Sequence, residues 1–89
     1  IAAAVGDRLE VYLDSGIRRG LDVLKSIALG ARAVFMGRPL FWGLAVDGEA
    51  GVRLALDILR VEFDRAMAYC GRTRVSEIDR SLVTLPSEL

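Results

Sequence analysis

Leu13-Asp-Ser-Gly-Ile-Arg-Arg-Gly20, followed after a helical stretch by Ala33-Val-Phe-Met-Gly-Arg-Pro39, decides the fold of this chain. Read from Leu13 to Pro39, the pattern is strand, glycine turn, helix, strand, glycine turn. Each turn pairs a glycine with an arginine: Gly16 with Arg18, and Gly37 with Arg38. Glycine lets backbone approach a ligand closely and adopt dihedrals that other residues avoid. Exposed backbone N–H groups in such turns bind anions. An arginine fork adds parallel charge-assisted hydrogen bonds to a phosphate. Two such turns at the ends of adjacent parallel strands would make a phosphate grip. In (β/α)8 barrels that grip commonly follows strands seven and eight.

Outward from this stretch, the chain reads as a compact βαβ unit with helices on either side. Ile1 to Gly6 is the end of a helix, with Gly6 as its stop. Leu9 to Leu13 is the first strand, because Val11, Tyr12 and Leu13 are strand formers in a short apolar run. Asp14 follows at its carboxyl end, where ligands bind in α/β units. A turn-forming role explains an aspartate there equally well, and the neighbouring Gly16 and Arg18 tip the reading toward a site. Residues 19–29 form a helix, with Gly20, Leu24, Ile27, Ala28 and Ala31 on one stripe and Asp22 and Lys25 nearer solvent. Gly30 sits where a left-handed cap is expected. Ala33 to Met36 is the second strand, and Gly37-Arg38-Pro39 comes directly after it.

Pro39 suits the start of a helix because it needs no N–H there. A short apolar helix, Leu40 to Val46, would aim its positive end at a bound phosphate. Phe41 and Trp42 read as core packing. Asp47 is placed to cap a long helix from Gly48 to Cys70, with Glu49 in its first turn. Val52, Ala55, Leu56, Leu59, Phe63, Ala66, Met67 and Cys70 make its apolar stripe. Arg53, Asp57, Arg60 and Asp64 are spaced for alternating-sign pairs on the opposite, solvated face. Gly71 ends the helix. A short helix from Val75 to Leu82, capped by Thr73, precedes a loose tail at Pro86.

The bulk properties restrict what this chain does. It has 89 residues, whereas a (β/α)8 barrel needs about 250. Its 53% apolar content exceeds the usual share, yet the strands are too few to cover one another. The expectation is a piece of a larger barrel, and a chain starting at Ile1 without Met agrees with it. Basic and acidic residues balance at 12 each, against the basic face of a nucleic-acid binder. No run approaches the ~20 apolar residues of a membrane span. With no His and one Cys, there is no metal constellation. Cys70 reads as a buried small hydrophobe and fits a reducing compartment, so a cytoplasmic location is expected.

The chemistry therefore concentrates in Asp14, Ser15, Gly16, Ile17, Arg18, Gly37 and Arg38. The N–H groups of Gly16, Gly37 and Arg38, with the Arg18 and Arg38 guanidinia, would hold phosphate oxygens. Asp14 would accept hydrogen bonds from sugar-like hydroxyls. Arg8 and Arg19 read as surface charges. A general base for α-proton or hydride chemistry is usually a histidine, and none is present. The expectation is a segment that holds a cofactor without catalytic residues of its own.

Asp14-Ser-Gly-Ile-Arg-Arg-Gly20, Ala28-Leu-Gly-Ala31, Gly37-Arg-Pro39 and Gly48-Glu-Ala-Gly-Val52 together resemble the carboxyl-terminal quarter of the FMN-dependent α-hydroxy-acid oxidases and dehydrogenases. Glycolate oxidase, lactate oxidase and mandelate dehydrogenase are members. The likeness runs from about Val5 to Val83. It implies that residues 1–89 are the C-terminal portion of one (β/α)8 barrel domain, its last two βα units plus terminal helices, with no second domain. It implies FMN as cofactor, held at its ribityl phosphate by Asp14 to Arg18, Gly37 and Arg38. Ser15 departs from the Asp-Gly-Gly version in glycolate oxidases, resembles the lactate- and mandelate-type members and should leave the backbone contacts intact.

The implied reaction is oxidation of a small 2-hydroxy acid to the 2-oxo acid, with hydride passing to FMN and oxygen reoxidising the flavin. Bacterial mandelate or 4-hydroxymandelate oxidases resemble the chain best. The implied partners are the upstream remainder of the barrel, carrying a catalytic His and an Arg, and further copies of the protein in a homo-oligomer, a tetramer. Two rival readings stand beside this one. One is another phosphate-gripping barrel, type 2 isopentenyl-diphosphate isomerase or IMP dehydrogenase, which shares the Gly-Ile-Arg turn but not the pattern of Phe41 to Val52. The other is an inert structural fragment.

Overall fold

The computed structural model describes residues 1–89. A short helix α1 (Ala2–Val5) leads into strand β1 (Tyr12–Asp14), helix α2 (Gly20–Ala28), strand β2 (Ala33–Phe35) and a long helix α3 (Arg38–Tyr69). The two strands pair in parallel, with Tyr12 opposite Ala33, Leu13 opposite Val34 and Asp14 opposite Phe35. This is the expected βαβ unit with shorter strands. The first begins at Tyr12 rather than Leu9, and Asp14 is its last residue rather than the residue after it. Only the stretch that faces β2 has a hydrogen-bonding partner, so only that stretch is strand. The Arg32 N–H, which donates to the Val11 carbonyl at 2.7 Å, marks where pairing starts.

Helix α2 forms because both of its ends are satisfied. The Asp22 carboxylate reaches back to the N–H groups of Arg19 at 2.9 Å and Arg18 at 3.0 Å, which would otherwise be orphan donors. Gly30 leaves the helix at φ +114°, as a left-handed cap requires. By contrast, Gly6 ends α1 in ordinary right-handed geometry, φ −61°. Val23, Leu24 and Ala28 are buried, and Leu24 and Ala28 cluster with Met67 on the second half of α3.

Helix α3 starts at Arg38 with Pro39 in its first turn, as the proline predicts. It breaks at Asp47 (φ −152°) and Gly48 (φ +57°), so residues 38–46 and 49–69 are two limbs. Gly48 supplies the positive φ of this corner. The limbs fold together at Gly43 and Gly51: a Cβ on Gly43 would lie 2.5 Å from the Gly51 carbonyl oxygen. Gly20 makes a comparable approach between α2 and the second limb, where a Cβ would lie 2.6 Å from Glu62 Cβ.

The core is one cluster of Leu24, Ala28, Met67 and Ile78, flanked by Ile27, Phe63, Ala66, Cys70, Leu82 and Val83. The apolar stripe of the long helix thus points inward, apart from Leu56, which is exposed. The opposite charged face departs from its expected pairing. Arg53 turns back to Glu49 at 2.9 Å, and neither Arg60 nor Asp64 joins an ion pair.

The predicted helix from Val75 to Leu82 is instead two 3-10 turns, Val75–Glu77 and Arg80–Leu82. The first is capped from within. Glu77 collects the N–H groups of Thr73 and Arg74 at 3.0 and 2.8 Å, with the Thr73 hydroxyl donating at 2.8 Å. Asp79 caps the second by accepting from the Ser81 N–H at 3.0 Å. Short self-capped turns satisfy the backbone locally and let Ile78 drop between them into the core. The tail closes on a third turn, Pro86–Glu88, tied by the ion pair of Arg80 with Glu88.

Only 8 of the 89 residues are buried, and Tyr12, Leu13 and Phe35 on the strands are exposed. Parallel strands are ordinarily covered on both faces, so this two-stranded sheet is a portion of a larger one. No helix is long and apolar enough to cross a membrane.

Candidate functional site

The parallel pairing brings the ends of β1 and β2 side by side, and the two glycine–arginine turns leave from them together. Between them lies a cleft of about 300 Å³, lined by Asp14, Ser15, Gly16, Ile17, Arg18, Gly37 and Arg38. Every residue singled out from the sequence is therefore at one concavity. Phe35, Met36, Pro39 and Phe41 complete the wall.

The first turn is sharply bent. Ser15 and Gly16 both hold positive φ, +82° and +81°. Glycine does so freely, whereas a serine pays steric strain there. The Asp14 carboxylate stabilises the bend by accepting from the Ser15 N–H at 2.8 Å. Ile17 then turns its side chain into the interior, 4% exposed, and so contributes backbone to the cleft. The N–H groups of Gly16, Ile17 and Gly37 donate to no acceptor within the chain. A Cβ on Gly16 or Gly37 would meet nothing within 4 Å. Open space, free donors and two cationic side chains converge here, as an oxyanion ligand requires.

Asp22 sets where Arg18 sits. Desolvation pushes its carboxyl up, but the N–H groups of Arg19 and Arg18, with the charges of Lys25 and Arg19, outweigh that and hold it below the usual aspartate range. It stays ionised and pins the backbone of Arg18. The signal for this role is an acidic residue three positions into a helix, the capping-box spacing. Arg19, read as a surface charge, is 74% exposed but bonds Glu62 on the second limb of α3 at 2.7 Å. Glu62 also accepts from the Gly20 N–H at 3.0 Å. The Arg19 bond and that N–H together hold the Glu62 carboxyl below its usual range. This pair docks α2 on α3 and leaves Arg19 unavailable to the cleft.

Phe41 and Trp42, read as core packing, join no core cluster within this segment. Within these 89 residues they are 67% and 53% exposed, and they sit in the first turns of α3, beside the cleft. Phe41 lines it, and Trp42 presents its ring to the Arg18 guanidinium, 5.6 Å from carbon to ring centroid.

A parallel βαβ unit with converging turns at the strand ends, an abrupt helix start after the second strand and uncovered sheet faces defines a portion of a (β/α)8 barrel enzyme. Comparison with known proteins names the lineage. Residues 1–85 match the FMN-dependent dehydrogenase family, and the chain belongs to it. It is 55% identical over 83 residues to 2-hydroxyacid oxidase 1 of Mus musculus, a match covering 93% of this chain and 22% of that protein. It is 51% identical over 87 residues to pre-mycofactocin synthase of Mycobacterium tuberculosis, covering 98% of this chain and 22% of that one. Among solved structures, mandelate oxidase with 3,3-difluoro-2-hydroxy-3-phenylpropionic acid superposes with a TM-score of 0.85 at 49% identity, covering 90% of this chain and 23% of that chain. The chain thus spans about a fifth of the length of the curated relatives it matches. It is a C-terminal barrel portion of an enzyme family whose cofactor is FMN.

Proposed function

We propose that this chain is the phosphate-binding end of an FMN-dependent enzyme that oxidises a small 2-hydroxy acid to the 2-oxo acid. The observation that carries the reading is the single cleft shared by the Asp14–Arg18 and Gly37–Arg38 turns. The free N–H groups of Gly16, Ile17 and Gly37 would bind the ribityl phosphate oxygens, and the Arg18 and Arg38 guanidinia would neutralise its charge. Asp14 would accept from ribityl hydroxyls. When bound, FMN supplies the two-electron acceptor. No histidine stands in this segment, so the proton-abstracting His and the carboxylate-binding Arg are assigned to the rest of the barrel.

The proposal extends to residues 1–89 lying in one barrel domain, to mandelate or 4-hydroxymandelate as substrate, to oxygen as flavin reoxidant and to a homotetramer in the cytoplasm. The likeness to mandelate oxidase at 49% identity agrees with this substrate choice, and the likeness to 2-hydroxyacid oxidase 1 at 55% agrees equally with another small 2-hydroxy acid. Membership of the FMN-dependent dehydrogenase family favours this over an isomerase or a nucleotide dehydrogenase of similar turns.

The test uses the full-length protein freed of flavin. FMN and riboflavin differ only by the phosphate, so their affinity ratio isolates the grip. Arg38→Ala should weaken FMN by about 1.5–3 kcal/mol, the range for a charged hydrogen bond, and leave riboflavin unchanged. Equal binding of the two flavins by the unaltered protein would overturn the reading. Peroxide release with mandelate, lactate and glycolate then ranks the substrates.

A further inference from the structure

We infer that Trp42 is a positioning residue for Arg18, a cation–π platform that holds its guanidinium at the cleft without consuming its charge. The inference rests on the phosphate reading above. An arginine side chain has about 2 kcal/mol of rotamer entropy, so a guanidinium waiting for an anion needs something to hold it. A carboxylate would do so and cancel the charge. The next residue is the comparison: Arg19 commits its Nε, at 2.8 Å, and a terminal nitrogen, at 2.7 Å, to Glu62.

Arg18 pairs with no carboxylate of the chain. Its guanidinium lies over the Trp42 ring, and its backbone N–H is fixed by Asp22 at 3.0 Å. A ring attracts a guanidinium through its π face, cancels none of its charge and takes up none of its N–H donors in ion pairs, so they remain available to an oxyanion. Trp42 is one turn along α3 from Arg38. A single helix start thus delivers one cation to the cleft directly and a support for the other.

Flavin-free full-length protein is titrated with FMN and with riboflavin. Trp42→Leu should lower the FMN-to-riboflavin affinity ratio about two- to fivefold, the scale of an exposed cation–π contact, with riboflavin affinity unchanged. Trp42→Phe keeps a ring and should restore most of the ratio. In an Arg18→Ala background, Trp42→Leu should have no further effect. A ratio that falls equally for Phe and Leu, or falls undiminished without Arg18, overturns the inference while leaving the phosphate reading intact. If Arg18→Ala and Arg38→Ala both leave the ratio unchanged, the phosphate reading itself fails. Should Trp42→Leu not fold, fluorescence carries the test. The emission belonging to Trp42, taken as wild type minus Trp42→Phe, should shift on Arg18→Ala, and an unchanged spectrum overturns the inference.

Discussion

Gly43 and Gly51 touch backbone to backbone across the corner of α3. A Cβ on Gly51 would lie 2.7 Å from the Gly43 carbonyl carbon. This contact folds residues 38–46 against residues 49–69 and so orients the helix start that carries Arg38.

Gly51→Ala tests that contact. In a free helix the change would stabilise by about 1 kcal/mol. Here overpacking against main chain, which cannot rotate away, costs about 3 kcal/mol or more and wins. Denaturant unfolding of the full-length protein should show a net loss of about 2 kcal/mol. A gain in stability would mean that the limbs do not meet at these glycines.

Leu24→Ala removes the most buried large side chain, 2% exposed at the centre of the cluster with Ala28, Met67 and Ile78. The expected loss is about 2–5 kcal/mol, from transfer and cavity together. The same truncation at Leu54, 60% exposed in this chain, reports instead on whatever covers that face in the complete enzyme.

Ser15 is the strained residue of the site, with φ +82°. Ser15→Gly should be tolerated, because glycine occupies that region without penalty. Ser15→Val should cost about 1–2 kcal/mol, since a β-branched residue is poorly accommodated there. It should also weaken FMN by misplacing the Gly16 N–H. Equal stability of the Gly and Val variants would show that the turn relaxes.

The Arg19–Glu62 bond makes docking of α2 pH-dependent. The folded-state Glu62 carboxyl lies below its ordinary value of about 4.5. Unfolded chains therefore bind the proton first, and stability rises with pH across that interval. The contribution is complete above pH ~4.5 and is lost as pH falls through the depressed folded value. Glu62→Gln should thus lower the melting temperature at pH 7, with the gap from wild type closing in acid. A gap that stays constant from pH 7 to pH 3 would count against the bond.

Short-range chemistry was legible in the sequence. Gly16 and Gly30 mark glycine turns, Pro39 marks a helix start, and the 3.6-residue stripe through Phe63 and Met67 marks an inward face. Gly48 reads instead as the first residue of a helix capped by Asp47, and its positive φ belongs to a corner that only the approach of the two limbs of α3 imposes. Because β1 and β2 run parallel and in register, the two glycine–arginine turns had to emerge from the same edge, so the cleft residues were legible as well. Roles set by neighbours distant along the chain were not. Arg19 looks as exposed as Arg8 until α3 brings Glu62 beside it, 43 residues away. Trp42 looks like one more apolar residue until α3 brings it beside Arg18. The stretch from Val75 to Leu82 reads as one short helix capped by Thr73, yet Glu77 and Asp79 cap two separate turns there. Local backbone preference and hydrophobic period are properties of a few consecutive residues, and the sequence by itself determined them. Which charges meet, which aromatic supports which cation and which glycines must have no side chain are matters of approach between segments, and only the tertiary structure decided them.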